Sequence, residues 1–379
     1  MQCLFVKSPW SVAFPDMSPR AIPQPYMHIA QVAPLYESVP PRYYGGTERV
    51  VFHLTEELVR QGNDVTLFAS GDSTTSATLV PASQSALRLD EDCVDSMAHH
   101  ILLLEQVIQA ADRFDVIHFH VDYLHFPLSR LVQWPQVTTL HGRLDLPDLD
   151  PLYQEFSDMP VISISDAQRG PLPQANWVET VYHGLPPDLY PYRSAPGDYL
   201  AFLGRISPEK RVDRAVEIAD RANLPLKIAA KVDPADREYF EEVIQPLLSA
   251  PHVGYLGEIG EEEKAEFLGN ARALLFPIDW PEPFGLVLIE AMACGTPVVA
   301  FRHGSVPEIM EEGRTGFVVD SVDEAVDAVN RLSSVSRRAC RQVFEKRFTA
   351  ARMARDYEQV YERLLAQRRS RVSFHFAAD

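Results

Sequence analysis

Two glutamates stand eight positions apart in the segment 276–301, FPIDWPEPFGLVLIEAMACGTPVVAF, and their surroundings differ. Across 286–294 every side chain except that of Glu290 is Leu, Val, Ile, Ala, Met or Cys. Pro281 and Pro283 favour an extended approach, and 285–294 then reads as a helix. Gly295 is its left-handed stop, with Pro297 just beyond. A helix that is apolar on all sides is a buried helix. A buried carboxylate left unpaired costs several kcal/mol or more, so Glu290 must face a polar ligand or a buried cation.

Glu282 lies in the loop that feeds this helix. There the amides of Phe284, Gly285 and Leu286 have no acceptor within the helix, and such an end attracts anions and sugar oxygens. Eight residues of helix would span roughly 12 Å at a rise of about 1.5 Å per residue. An acid and base working on one glycosidic bond stand roughly 5–9.5 Å apart. The spacing therefore suits gripping the two ends of an elongated ligand, of about the length of a nucleotide-sugar.

Three further groups carry chemistry. The loop 204–211, G-R-I-S-P-E-K-R, holds Arg205 and Lys210 where a planar fork and a point charge can neutralise a diphosphate; the alternative is a solvated helix start with Glu209 pairing locally. The stretch 43–49, Y-Y-G-G-T-E-R, lies between a strand and a helix, where Gly45 and Gly46 let backbone approach a ligand closely and the amides from Thr47 onward point at it. It lacks the G-x-G-x-x-G dinucleotide pattern. Finally, His118 and His120 end one apolar strand and His141 another. Alternate residues on a strand share a face, so H-x-H could ligate a metal, but local sequence supplies no third ligand.

E-P-F-G-L-V-L-I-E-A-M-A-C-G-T-P-V-V-A resembles the E-x7-E region of the family-four glycosyltransferases, and G-R-x-x-x-x-K resembles their phosphate loop. The resemblance covers most of 27–366 and is strongest at 204–211 and 276–301. It implies an α/β chain of GT-B architecture, two Rossmann-like domains facing each other across a deep cleft. On this likeness Glu282 holds hydroxyls of the donor sugar, the amides of Phe284, Gly285 and Leu286 contact sugar or diphosphate, and Glu290 binds the ribose. Arg205 and Lys210 stabilise the leaving diphosphate, and His141 contacts the donor sugar; with Glu282 these form the expected catalytic set. Gly46 is expected against the donor phosphate, and Gly45, Gly46, Thr47 and His120 on the acceptor side. Two positions depart from relatives: Arg211 where Gly is common, and His183 where Asn-Gly is common.

The implied reaction moves a hexose from a nucleoside-diphosphate sugar, UDP- or GDP-linked, to a hydroxyl acceptor with retention of configuration. It needs no metal and no cofactor beyond the co-substrate. A nucleotide-sugar epimerase or a noncatalytic nucleotide-sugar binder could use the same clamp.

To position these groups the chain must alternate short apolar strands with helices, which indicates parallel sheets covered on both faces. Strands are expected at 28–33, 64–69, 115–120, 136–140 and 160–164, with helices at 47–62 and 97–112. A second unit has strands at 199–204, 226–230, 253–256, 273–277, 297–301 and 316–319, and helices at 209–222, 235–249, 261–270, 305–311 and 322–333. Residues 27–185 form the acceptor-side domain and 186–345 the donor-side domain. A helix over 346–366, with Met353, Tyr357, Val360, Tyr361 and Leu364 at helical spacing, returns to the first domain. Residues 1–26 read as a disordered or poorly packed extension, and 367–379 as a solvated tail.

Composition bounds the partners. A formal charge of −18, from 35 basic against 53 acidic residues, repels phosphate backbones and anionic lipid headgroups, which argues against nucleic acid as a partner; no integral membrane contact is expected. Cys3, Cys93, Cys294 and Cys340 show no C-x-x-C pattern, so neither a disulfide framework nor a zinc site is indicated. No run approaches the roughly 18–20 apolar residues of a membrane span, and a cytoplasmic setting is the expectation.

Overall fold

A computed structural model describes residues 27–42, 45–132 and 134–376. The expectations for 1–26 and for Tyr43 and Tyr44 lie outside the described residues. Among those described, seven parallel strands form the first sheet. Their order is Thr78–Ser83, Asp64–Ser70, His28–Val32, Val116–Phe119, Gln136–Thr139, Pro160–Ser163 and Asn176–Thr180. Six parallel strands form the second, in the order Val253–Gly257, Leu226–Val232, Tyr199–Ile206, Ala271–Phe276, Val298–Phe301 and Gly316–Val319. These are two Rossmann-like units, and both line one cavity.

Each unit starts at its centre. The chain runs outward from His28–Val32 through two neighbours and returns to Val116–Phe119 on the other side, and Tyr199–Ile206 is flanked in the same way. Beside such a reversal the connections on the two sides lead away in opposite directions, opening a crevice at the carboxyl ends of the strands. Residues at the carboxyl ends of these central strands border the cavity, within 34–36, 120–124, 204–210 and 276–282.

Apolar side chains cover both faces of each sheet. Leu274, Leu288, Met292 and Val298 pack on one face of the second sheet, and Phe202, Val216, Ile228 and Phe301 on the other. The C-terminal helix Ala350–Phe376 leaves the second unit and buries Met353, Tyr357, Val360 and Tyr361 against Ile29, Val50, Leu54, Val116 and Ile162 of the first.

Several expected boundaries move for identifiable reasons. The helix expected over 209–222 begins at Val212, because Arg211 sits in the left-handed region at φ 54° and 208–210 form a single 3-10 turn. Lys210 therefore ends the 3-10 turn ahead of the helix, and Arg211 holds a backbone conformation that glycine adopts most readily. The segment expected as a helix over 235–249 breaks into short turns, the last holding Pro246, which has no N–H to continue a helix. Helix Arg337–Arg347 and the edge strands Thr78–Ser83 and Asn176–Thr180 were not expected. The C-terminal helix runs past the expected end at 366 to Phe376.

The two units are stitched where the connection out of the first passes the start of the C-terminal helix. Leu185 N–H donates to the Phe348 carbonyl and Ala350 N–H to the Leu185 carbonyl, each at 2.9 Å. A Cβ on Gly184 would stand 2.3 Å from the Thr349 carbonyl oxygen. Gly184→Ala is expected to destabilise the fold by about 3 kcal/mol, the upper part of the range for overpacking, because backbone rather than a flexible side chain must yield; urea unfolding of the variant checks this.

Candidate active site in the interdomain cleft

Between the units lies a cavity of about 670 Å³. Gly45, Gly46, Thr47, His120 and His141 border it from the first unit, and Arg205, Lys210, Glu282, Phe284, Gly285, Leu286 and Glu290 from the second. Every residue of the expected catalytic, donor and acceptor sets thus borders one space, whereas His118 is buried behind it.

Glu290 occupies an apolar helix, Leu286–Cys294, closed by Gly295 at φ 81°. It is 2% exposed, and the cation that holds it comes from the other unit: Arg49 Nη1 donates to Glu290 Oε1 at 2.8 Å. Arg49 Nη2 also reaches Glu261 Oε2 at 3.0 Å, and Glu261 accepts from Tyr190 Oη and from Lys264 Nζ. Sequence reasoning quoted Arg49 inside the Gly-Gly motif without giving it a role. The available signal was an arginine one turn into a helix whose start meets a ligand-approach loop.

On the wall contributed by the second unit Lys210 Nζ pairs with Glu282 Oε2, which also accepts from Trp280 Nε1 at 3.1 Å, and the ammonium lies 4.7 Å from the Trp280 ring centroid. Arg205 donates to Glu209 at 2.6 Å and stands 3.6 and 3.5 Å from Asp233 and Asp236. The local Glu209 pairing and the cavity position are therefore both realised. The loop carrying Glu282 is fixed from behind: Ser305 N–H donates to the Glu282 carbonyl and Ser305 Oγ to the Phe284 carbonyl, each at 2.9 Å. Gly304, at φ 53°, passes so close that a Cβ would lie 2.3 Å from the Glu282 carbonyl oxygen. Trp280 and Gly304 are further site-shaping residues that the sequence pattern did not single out.

The histidines form a buried group. His120 Nδ1 and His141 Nε2 are 2.8 Å apart, and His141 stacks on His183 with ring centroids at 5.4 Å. His183 meets Phe284 edge-on at 4.7 Å, so it belongs to the cleft wall. Burial pushes His141 down to about 3, and His118, His120 and His183 well below the usual histidine range, so all four rings are neutral at pH 7. Both nitrogens of His118 and of His120 have hydrogen-bond partners in protein, and no cluster of three or more metal-ligating side chains occurs among the described residues.

Three comparisons with known proteins bear on this arrangement. The chain matches the model of glycosyl transferases group 1 over residues 194–347 and that of Glycosyltransferase Family 4 over 44–177. It is 26% identical to an uncharacterized glycosyltransferase of Methanocaldococcus jannaschii, over 80% of this chain and 89% of that one. It is 36% identical to a D-inositol 3-phosphate glycosyltransferase of Streptomyces scabiei, over only 34% of this chain and 31% of that one. Among solved structures, AviGT4, a glycosyltransferase involved in avilamycin A biosynthesis, superposes with a TM-score of 0.71 at 25% identity, covering 90% of this chain and 98% of that one. Anabaena HepE in complex with UDP-glucose superposes with a TM-score of 0.68 at 18% identity, covering 89% and 100%. The fold is GT-B, and the chain belongs to the family-four glycosyltransferases and is a transferase. Among the described residues no helix is long and apolar enough to cross a membrane.

Removing Arg49 should leave Glu290 as an uncompensated buried charge. Arg49→Met is expected to cost about 3–5 kcal/mol in unfolding free energy, and the Arg49→Met/Glu290→Gln double variant should recover most of it, as a double-mutant cycle by chemical denaturation will show. A second expectation concerns Glu48, which borders the cavity 5% exposed and is pushed up to about 7 by burial. Its folded state holds the proton more tightly than the unfolded chain, so its stabilising contribution is full below about 4.5 and is lost as pH rises through about 7. Relative to Glu48→Gln, the wild type should lose about 3 kcal/mol of stability across that window, measured as the difference between the two stability–pH curves.

Proposed function

We propose that the chain transfers a hexose from a nucleoside-diphosphate sugar, UDP- or GDP-linked, to a hydroxyl group of a saccharide or small molecule with retention of anomeric configuration. The observation that carries this reading is the pairing of Lys210 with Glu282 on the cavity wall, with Arg205 beside it and Glu290 farther along the same wall. A cation and a carboxylate held together offer partners for a diphosphate and for the hydroxyls of its attached sugar side by side, which supports this reading. In HepE, a structural neighbour, UDP-glucose is the bound ligand, and that supports a nucleotide-sugar here.

On this reading the diphosphate lies against Arg205, Lys210 and the amides of Phe284, Gly285 and Leu286. Glu282 takes hydroxyls of the sugar, Glu290 takes the ribose, and Gly45, Gly46 and Thr47 meet the phosphate and the acceptor. The glycosidic C–O bond to the diphosphate breaks as the acceptor oxygen bonds the same face of the sugar carbon. The departing phosphate oxygen takes the acceptor proton. Arg205 and Lys210 carry the charge that develops, so no metal is needed. His141 is neutral at working pH and contacts the sugar as an uncharged group.

Incubation with UDP-, GDP- and ADP-sugars and a panel of hydroxyl acceptors is expected to release one nucleoside diphosphate and to give a product of the donor's anomeric configuration by NMR. Lys210→Ala should lower kcat on the order of 10²–10³-fold, the effect of losing one preorganised charge contact. An inverted product, or release without any acceptor together with epimerised sugar, would overturn the reading.

A further inference from the structure

The C-terminal helix reaches the cleft through buried polar side chains that the transfer reaction above leaves without a role. Tyr361 is fully buried; its Oη lies 3.2 Å from Gln31 Nε2 and 2.8 Å from His118 Nδ1. Gln31 Oε1 is 2.8 Å from His120 Nε2, and His120 Nδ1 is 2.8 Å from His141 Nε2. In the other direction His118 Nε2 is 2.7 Å from Thr139 Oγ1, which is 3.0 Å from Tyr357 Oη. The helix also holds the second cleft histidine by its backbone: Arg352 Nη2 donates to the carbonyls of Tyr182 and His183 at 2.6 and 3.0 Å.

Donors and acceptors along such a chain are not independent. A neutral imidazole has one N–H and one lone pair, so fixing one of its bonds fixes the other. The Gln31 carboxamide oxygen can only accept, which places a hydrogen on His120 Nε2 and a lone pair on His120 Nδ1. His141 must then donate from Nε2, and its Nδ1 carries no hydrogen. The Gln31 amide nitrogen meanwhile donates to Tyr361 Oη, whose own hydrogen goes to His118 Nδ1, and His118 Nε2–H goes to Thr139. His141 and Tyr357 end the chain with one partner each, and the direction of the bonds between them follows from the way Gln31 faces. Behind His141, which is partly buried and borders the cavity, the members have no solvent to supply a substitute: Gln31, His118, Thr139, Tyr357 and Tyr361 are at most 1% exposed and His120 is 3% exposed.

We infer that Gln31 and Tyr361 are positioning residues which, through His120, hold His141 in the single tautomer bearing its hydrogen on Nε2. The imidazole thus gives its one N–H to His120, offers the ligand no N–H, and moves no proton during turnover. Its part is to present a fixed neutral ring to the sugar. The C-terminal helix therefore sets the geometry of the cleft as well as tying the two units together. The functional half of this inference rests on the nucleotide-sugar reading; the tautomer half does not.

The test joins two readouts on the full chain. Nitrogen-15 spectra of the histidine-labelled wild type, without ligand, should show His141 as the Nε2–H tautomer. A carboxamide turned end for end would reverse every bond and place the hydrogen on Nδ1, so that spectrum, or an imidazolium at neutral pH, overturns the inference. Tyr361→Phe deletes one oxygen, releases Gln31 and should populate both tautomers of His141. In the same variant, binding of the nucleotide-sugar should weaken roughly 3- to 10-fold, the worth of about one net hydrogen bond, while binding of the nucleoside diphosphate alone stays unchanged. Val360→Ala, on the same helix and 1% exposed in the same core but outside the chain of hydrogen bonds, is the control for lost packing. It should lower stability and leave both readouts alone. An unchanged tautomer and an unchanged affinity ratio in Tyr361→Phe refute the positioning role. Failure of every nucleotide-sugar to bind the wild type removes the transferase reading instead, and the spectrum still decides the tautomer.

Discussion

A carboxylate inside an apolar helix is tolerated only while something positive or hydrogen-bonding holds it, and that constraint organises this molecule. Glu290 sits on a helix buried in the second unit, and Arg49 comes from the first. The pair cannot form unless the two units close on each other, so the charge that the helix cannot satisfy by itself becomes a contact across the cleft. Arg49 in turn draws in Glu261, and through it Tyr190 and Lys264. Replacing such a cluster by apolar residues would not weaken the fold by much, since desolvation offsets most of the attraction. Its retention at the wall of the cavity fits a group kept for a ligand.

The same logic extends around the cavity. Lys210 is held by Glu282, Arg205 by Glu209, and His141 by His120, so that polar groups able to meet a ligand are held by protein partners. Behind them stands a layer that does not touch the cavity's contents: Ser305 and Gly304 fix the Glu282 loop, and Arg352 holds the His183 backbone. Binding exchanges partners for the front layer while the rear layer stays in place. This favours a rigid site whose cost of assembly was met on folding.

Much of the fold was legible because parallel strands buried on both faces must be apolar, and Gly295 marks the end of its helix. What escaped was where local pattern and tertiary setting part company. Thr78–Ser83 contains Pro81, which argues against a strand until the strand is seen at the sheet edge, where a missing donor is harmless. Helix Arg337–Arg347 is mostly polar, with only Ala339, Cys340, Val343 and Phe344 apolar, yet Arg337 is 7% exposed and donates to the carbonyls of Arg193, Gly269 and Ala271. In the site, residues with a local signature stood out: the two glutamates, the G-R-x-x-x-x-K cations, the paired glycines. Arg49, Gly304 and Gln31 did not, because each matters through a partner more than twenty positions away: Glu290, Glu282 and Tyr361. A long-range pair leaves no trace in one sequence.

The most direct test of this account is a crystal structure with a nucleoside diphosphate bound, chosen by thermal shift from UDP, GDP and ADP. The account predicts the ribose hydroxyls on the Glu290 carboxylate and the diphosphate oxygens within hydrogen-bond distance of Arg205 and Lys210. A nucleotide seated elsewhere, with Glu290 contacting only Arg49, would contradict it, because the buried glutamate would then be a strut between the units and not a binding group.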